Sequence, residues 1–210
     1  MKKIIYALKT PFLLTVTLMI ICGIGYPLLV TGLGQTLFPY QANGSQIKEN
    51  GKVVGSALIG QAFTESTYLK GRPSGVNYNT YTAAEKENGH YLGVASGSEN
   101  LSPSNPDLKK RVAQNMARFL EQNPTIKKQA IPTDLLTASG SGLDPHISPE
   151  SAKIQVPEIA KASKISEKKL YQLIDAQTTK PVLNFLGTPT VNVLAVNLAI
   201  HAQLNTAKSN

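Results

Sequence analysis

Apolar residues crowd the N-terminal end of this chain and then give way to shorter, more mixed patterns. No residue from Thr10 to Ile47 is charged, a run of 38, and its apolar heart is Phe12 to Leu33. Those 22 residues, wound as a helix, rise about 33 Å, enough for a hydrocarbon core of about 30 Å. A soluble helix of that length would show a polar face, and this one has none. A cleaved secretory signal would have an apolar region of about 7–15 residues and small residues behind it. Here the residues that follow include Leu37, Phe38 and Tyr40. The pattern predicts a retained membrane anchor. Lys2, Lys3 and Lys9 precede it, and Lys48 beside Glu49 is the first cation after it. That bias directs the N-terminus to the cytoplasm. The expected organisation is a cytoplasmic stretch 1–11, a transmembrane anchor 12–34 and one extracytoplasmic α+β domain over 35–210. Gly23, Gly25, Tyr26 and Pro27 put small and helix-bending residues in the span, where they would pack against other membrane helices.

Beyond the anchor, Ser45–Ile47 and Val53–Ile59 read as short strands separated by the Asn50-Gly51 turn signal. Tyr68 to Gly97 is rich in Gly, Asn, Tyr and Thr without periodicity and reads as a long loop, a length that usually serves function. A helix is predicted from Asn105-Pro106, with Leu108, Val112, Met116 and Phe119-Leu120 on one face and Asn123-Pro124 as its end. A second helix opens at Ser148-Pro149-Glu150 and carries Ala152, Val156 and Ile159, with Pro157 bending or breaking it. Ser166 caps a third, with Ile165 stapled on Leu170 and a buried stripe of Leu170, Leu173 and Ile174. Thr190–Val193 reads as a strand feeding a terminal helix through Leu194, Leu198 and Leu204.

Net charge is +8, of which +3 comes from the first nine residues. The remaining basic residues are scattered, with small clusters only at Lys109-Lys110-Arg111, Lys127-Lys128 and Lys168-Lys169 in or beside helical patterns, without the interleaved aromatics that single-stranded nucleic acid requires. The single cysteine, Cys22, lies inside the span, so disulfides do not stabilise the domain. His90, His146 and His201 are widely separated, and no metal-ligand spacing or phosphate-binding Gly-Lys loop is present. The densest chemistry is in Pro132–Pro149, where Asp134, Ser139, Ser141, Asp144 and His146 supply the residue types of a hydrolytic triad. A serine hydrolase using Ser141 or Ser139 with His146 is the competing function. No G-x-S-x-G elbow surrounds either serine, and a turned loop whose hydroxyls and carboxylates satisfy backbone amides explains the same residues.

Taken together, Tyr26-Pro27-Leu28-Leu29, Gln41-Ala42-Asn43-Gly44-Ser45, Gly55-Ser56-Ala57-Leu58-Ile59-Gly60-Gln61 and Gly71-Arg72-Pro73-Ser74 resemble the KdpC family, which belongs to the bacterial potassium-transporting Kdp-type ATPase. The resemblance continues through Ser104-Asn105-Pro106, Leu136-Thr137-Ala138-Ser139, Ser141-Gly142-Leu143-Asp144 and Val191-Asn192-Val193. It implies a non-catalytic accessory subunit in the inner membrane, with no cofactor of its own. ATP and potassium would be handled by the complex: a channel-like potassium-selective subunit, a P-type ATPase subunit and a small single-span subunit. The accessory protein would stabilise that assembly or couple its parts. Membrane lipid would surround the span, and nucleic acid has no place in the picture. Contact with the partners is expected at Gly60 and Gln61, at Tyr68 and Arg72, and at Ser139, Ser141 and Asp144. The chain departs from the family pattern at Glu158 and Ser163, where related chains commonly carry arginine, and at Glu99, which interrupts a run of small residues.

Overall fold

The computed structural model describes residues 2–89 and 93–209, so His90 lies outside the described residues. The chain divides into two compact units with the boundary between Val54 and Gly55.

The first unit is dominated by a long apolar helix. Helix α1 covers Lys2–Ile20, a π-helical turn covers Ile21–Gly25, and α2 covers Tyr26–Leu37. The stretch Leu8–Leu37, 30 residues with mean hydropathy reaching 2.2 and none of that window buried, is long and apolar enough to cross a membrane. The π turn has a local cause. Pro27 has no N–H to offer the carbonyl of Gly23, and its ring would strike that carbonyl in a regular helix. The helix widens instead, and the Tyr26 N–H bonds to the Ile21 carbonyl, five residues back. Within the apolar stretch, Thr15 and Thr36 return their hydroxyls to the carbonyls of Pro11 (2.8 Å) and Gly32 (2.9 Å). A short helix α3, Pro39–Ala42, follows. Strands β1 (Gln46–Glu49) and β2 (Lys52–Ser56) then form a hairpin. Its turn is Asn50-Gly51, both at positive φ (49° and 77°), the geometry that two-residue hairpin loops favour.

The second unit is mixed α and β. The predicted loop after Tyr68 is mostly irregular but holds a short helix, α4 (Ala83–Glu87), closed by a capping box between Thr82 and Glu85. Helix α5 runs Pro106–Gln122 from an Asn105 cap whose side chain accepts the Asp107 N–H. The predicted second helix is two: α6 (Pro149–Lys153) and α7 (Val156–Ser163), with Pro157 in the first turn of α7. Helix α8 (Glu167–Ala176) starts at Ser166, as its hydroxyl signalled. Three very short strands, β3 (His146–Ile147), β4 (Thr178–Thr179) and β5 (Thr190–Asn192), pair antiparallel in the order β3-β5-β4. Of these only β5 was expected. The terminal helix α9 covers Val193–Ser209.

Two apolar clusters hold this unit. The larger packs Ile147, Ala152, Val156, Ile159, Leu170, Ile174 and Val191 against Val193, Val196 and Ile200 of α9, with Leu69 from the loop region sealed inside. Of the leucines through which this helix was read, Leu194 is buried, Leu198 is half-buried, and Leu204, also half-buried, packs against the cluster. The smaller cluster joins Phe119 of α5 to Ile131, Leu135 and Leu136.

Candidate functional site

The loop 137–144 is the point on which three other segments converge. Gly60 donates its N–H to the carbonyl of Leu143 (2.8 Å) and Gly97 donates to that of Ser141 (2.7 Å). The Ser74 hydroxyl donates to the carbonyl of Gly142 (2.6 Å) and accepts the N–H groups of Val76 (3.2 Å) and Tyr78 (2.9 Å). The glycines are required by closeness. A Cβ on Gly60 would lie 2.6 Å from both the Asp144 carbonyl oxygen and Tyr78 Cε1. Gly142 adopts φ +66°, and a Cβ there would lie 2.6 Å from the Gly97 carbonyl oxygen.

Arg72 reaches across this hub. Its guanidinium donates to the carbonyls of Thr137 (3.4 Å) and Ala138 (3.3 Å) and pairs with Asp144 at 3.4 Å. The Tyr78 hydroxyl donates to the Arg72 carbonyl at 2.7 Å, fixing the backbone beneath the guanidinium. The His146 ring beside Asp144, the His146 amide and the Arg72 guanidinium hold the Asp144 carboxyl below its usual range, against the opposing effect of burial. Burial first, then the Asp144 charge, pushes the Tyr78 phenol up to about 12, so its hydroxyl stays a donor across the neutral range.

Two buried amides secure the segment before Arg72. Asn197 accepts the Leu69 N–H (2.8 Å) and donates to the Leu69 carbonyl (2.9 Å). Gln155 does the same for Lys70, at 2.9 and 3.2 Å. Each side chain thereby acts as a strand partner for one residue of an irregular segment, and both are buried, at 2% and 3% exposure. The sequence gives little sign of them, because the amides lie 128 and 85 residues from the segment they hold. Tyr68 points elsewhere, its hydroxyl 2.8 Å from Nδ1 of His201 on α9.

The triad residues are occupied by local structure. The Ser139 hydroxyl is buried and accepts the Gly142 N–H (2.9 Å), and that of Ser141 accepts the Leu143 N–H (3.1 Å). Among the described residues neither serine hydrogen-bonds to His146. Asp134 accepts from the Ser148 N–H (2.7 Å), the Ser148 hydroxyl (3.3 Å) and the Ser151 hydroxyl, all at the start of α6. A nucleophile activated by a base needs the two within hydrogen-bond reach, and this arrangement provides helix capping instead. Among the described residues, no three His, Cys, Asp or Glu side chains are grouped to hold a metal ion.

Beside the hub lies a cleft of about 310 Å³, lined by Gln61, Arg72, Ser74, Tyr78, Ala138 and, from α5, Arg111, Asn115 and Arg118. The departure at Glu99 falls here, where its carboxylate pairs with Arg111 at 2.6 Å. Ser163, one of the two sites of departure on α7, is buried and accepts the Ile165 N–H (3.2 Å). Of the residues singled out from the sequence, Gly60, Arg72, Ser139, Ser141 and Asp144 thus belong to one connected loop cluster. Gly23 and Gly25 lie in the π turn, with Tyr26 and Pro27 directly after it.

Residues 8–202 match the model of the family described as the K+-transporting ATPase, c chain. A potassium-transporting ATPase KdpC subunit of Clostridium kluyveri is 54% identical over 197 residues, covering 94% of both chains. One from Clostridioides difficile is 53% identical over 92% of this chain and 95% of its own length. A third, from Rhodopseudomonas palustris, is 46% identical over 88% of this chain and 91% of its own. The match takes in the apolar helix, the hairpin and the whole loop cluster, and the chain belongs to the KdpC family, the c chain of the K+-transporting ATPase.

Proposed function

We propose that this chain is a non-catalytic accessory subunit of a high-affinity, ATP-driven potassium uptake complex, stabilising or coupling its potassium-selective and P-type ATPase subunits. The family match across residues 8–202 carries this reading, because it takes in the apolar helix and the folded unit together. The helix crosses the cytoplasmic membrane once, with residues 1–11 inside, the span within 12–34, and residues 35–210 outside, as the lysine bias directs. In the span, Gly23, Gly25, Tyr26 and Pro27 pack against helices of the other subunits, including the small single-span one. Outside it, Gly60, Gln61, Tyr68, Arg72, Ser139, Ser141 and Asp144 belong to the segments that meet the potassium-selective subunit.

The support is geometric as well as familial. The Ser139 and Ser141 hydroxyls and one oxygen of the Asp144 carboxylate are spent on backbone N–H groups, as in a shaped surface held rigid for recognition. Binding through a preformed surface avoids the cost of ordering loops at the interface. Deleting the chain is expected to abolish growth at micromolar potassium, and the chain is expected to remain stoichiometric in the detergent-purified complex. Normal growth without it, or its absence from a functional purified complex, sinks the reading.

A further inference from the structure

Helix α5 presents Arg111, Asn115 and Arg118 to the 310 Å³ cleft, spaced i, i+4 and i+7 along one face. From the opposite wall come Lys70 and Arg72, the latter set between Gly71 and Pro73. Among the described residues, four cations thus line the cleft and Glu99 is its single acid. Glu99 occupies one end, at Arg111. The other end is open: Arg118 is exposed and, among the described residues, its side chain has neither a hydrogen bond nor an ion pair. An adjoining hollow of about 130 Å³ is lined by the same Lys70–Pro73 turn with Asn115 and Arg118.

We propose that the Arg118 end of this cleft is a docking site for an acidic side chain, Asp or Glu, on an extended segment of another subunit of the transport complex. The proposal rests on the reading of this chain as an accessory subunit. Charge is the first argument. Guanidinium groups pair well with carboxylates, and the cleft already holds one carboxylate through a single Arg111–Glu99 contact. Length is the second. Arg111 and Arg118 stand about 10 Å apart along the helix, far enough for an acid at Arg118 to clear the Glu99 carboxylate at Arg111, and the adjoining hollow leaves room for the chain that carries it. Access is the third. The Nε atoms of Arg72 and Arg111 are buried, so an incoming acid meets terminal nitrogens, and the exposed Arg118 is the one whose hydrogen-bonding capacity is wholly open.

The test is reconstitution of the full-length chain, purified in detergent, with an ATPase complex prepared without it. Arg118→Glu is expected to weaken binding at least about tenfold, as for loss of a well-placed interfacial charge. Arg118→Gln, a neutral change at an exposed helix position, is expected to weaken it by a smaller factor and guards against misfolding of α5. Wild-type affinity should fall between about 0.1 M and about 0.5 M salt more steeply than that of Arg118→Gln. Equal affinities for wild type and both variants overturn the docking site while leaving the accessory reading intact. Failure of the wild-type chain to bind at all overturns both. If both variants bind normally and inorganic phosphate raises the melting temperature of wild type but not of Arg118→Gln, beyond chloride at matched ionic strength, the cleft serves a free anion and the docking proposal falls.

Discussion

Residues 146–204 and residues 56–89 belong to the same folded unit, yet they are held in place by different chemistry. The first set buries Val, Ile and Leu side chains from five elements in one cluster. In the second, among the described residues, Leu69 is the one buried hydrophobic side chain. Its neighbours are fixed by side chains that satisfy backbone groups: Asn197 on Leu69, Gln155 on Lys70, Ser74 on Val76 and Tyr78, and Tyr78 on Arg72. A packed stripe tolerates exchange of one hydrophobe for another of similar volume. A segment held by polar clamps depends on particular atoms, because removing one partner leaves the other buried and unpaired.

Asn197→Leu puts the difference at its sharpest. It keeps the branched shape and replaces the amide by larger methyls, but orphans the N–H and the carbonyl of Leu69, and is expected to cost about 3 kcal/mol. Ile200→Val, one turn along the same helix face, is expected to cost about 1 kcal/mol. Chemical denaturation of the two variants checks the ordering, and an equal cost would abolish the distinction drawn here. Gly142→Ala should follow at about 2 kcal/mol, since alanine must adopt a left-handed backbone against the Gly97 carbonyl. Arg72→Lys is expected to remove about 1 kcal/mol or less, because lysine cannot hold two carbonyls and a carboxylate at once and the site is partly exposed. Its melting temperature, read beside potassium-stimulated ATPase activity of the complex, separates bracing from docking. Activity lost far beyond the small loss in melting temperature assigns Arg72 to partner contact.

Two pH effects sharpen the same contrast. The Asp144 carboxyl is lowered on folding, so its stabilisation is present above the ordinary value of 3.8 and is lost as pH falls through the lower folded value. Asp144→Asn should therefore show a flatter acid limb. Burial lowers the Lys70 ammonium to about 8, against the attraction of Glu65. The unfolded chain then holds the extra proton between pH about 8 and 10.5, and stability from this group rises across that window. Lys70→Met should gain stability at pH 7, with the gain shrinking as pH climbs through the window. An unchanged difference across it would remove Lys70 as the cause.

Much of the apolar set was readable in advance, because local signals mark it: the caps at Ser148 and Ser166, the break at Pro157, the buried Ala152, Val156 and Ile159. Strands β3 and β4 escaped because two residues cannot display alternation. Helix α4 carried its own signal, Thr82 followed by Glu85, inside a segment whose composition read as loop. The core face of α9 is hard to read from the pattern because an asparagine stands in it, buried on Leu69. At the candidate site, the cluster of small polar residues was legible, whereas its convergence with Gly60, Ser74 and Gly97 depends on contacts that no periodicity encodes.

The π turn in the apolar helix has a consequence for how that helix is addressed by its neighbours. A π turn is an extra residue that a helix has absorbed, and one residue corresponds to about 100° of rotation. A lengthwise stripe drawn on Phe12–Ile20 therefore does not continue straight onto Tyr26–Leu37; it steps sideways at Ile21–Gly25. One helix consequently carries two phases, and a straight partner lying along it meets one set of residues below the step and another set above. Removing a residue from Ile21–Gly25 would bring the halves into one phase while shortening the helix by only about 1.5 Å, so rotational setting can be changed there almost independently of length.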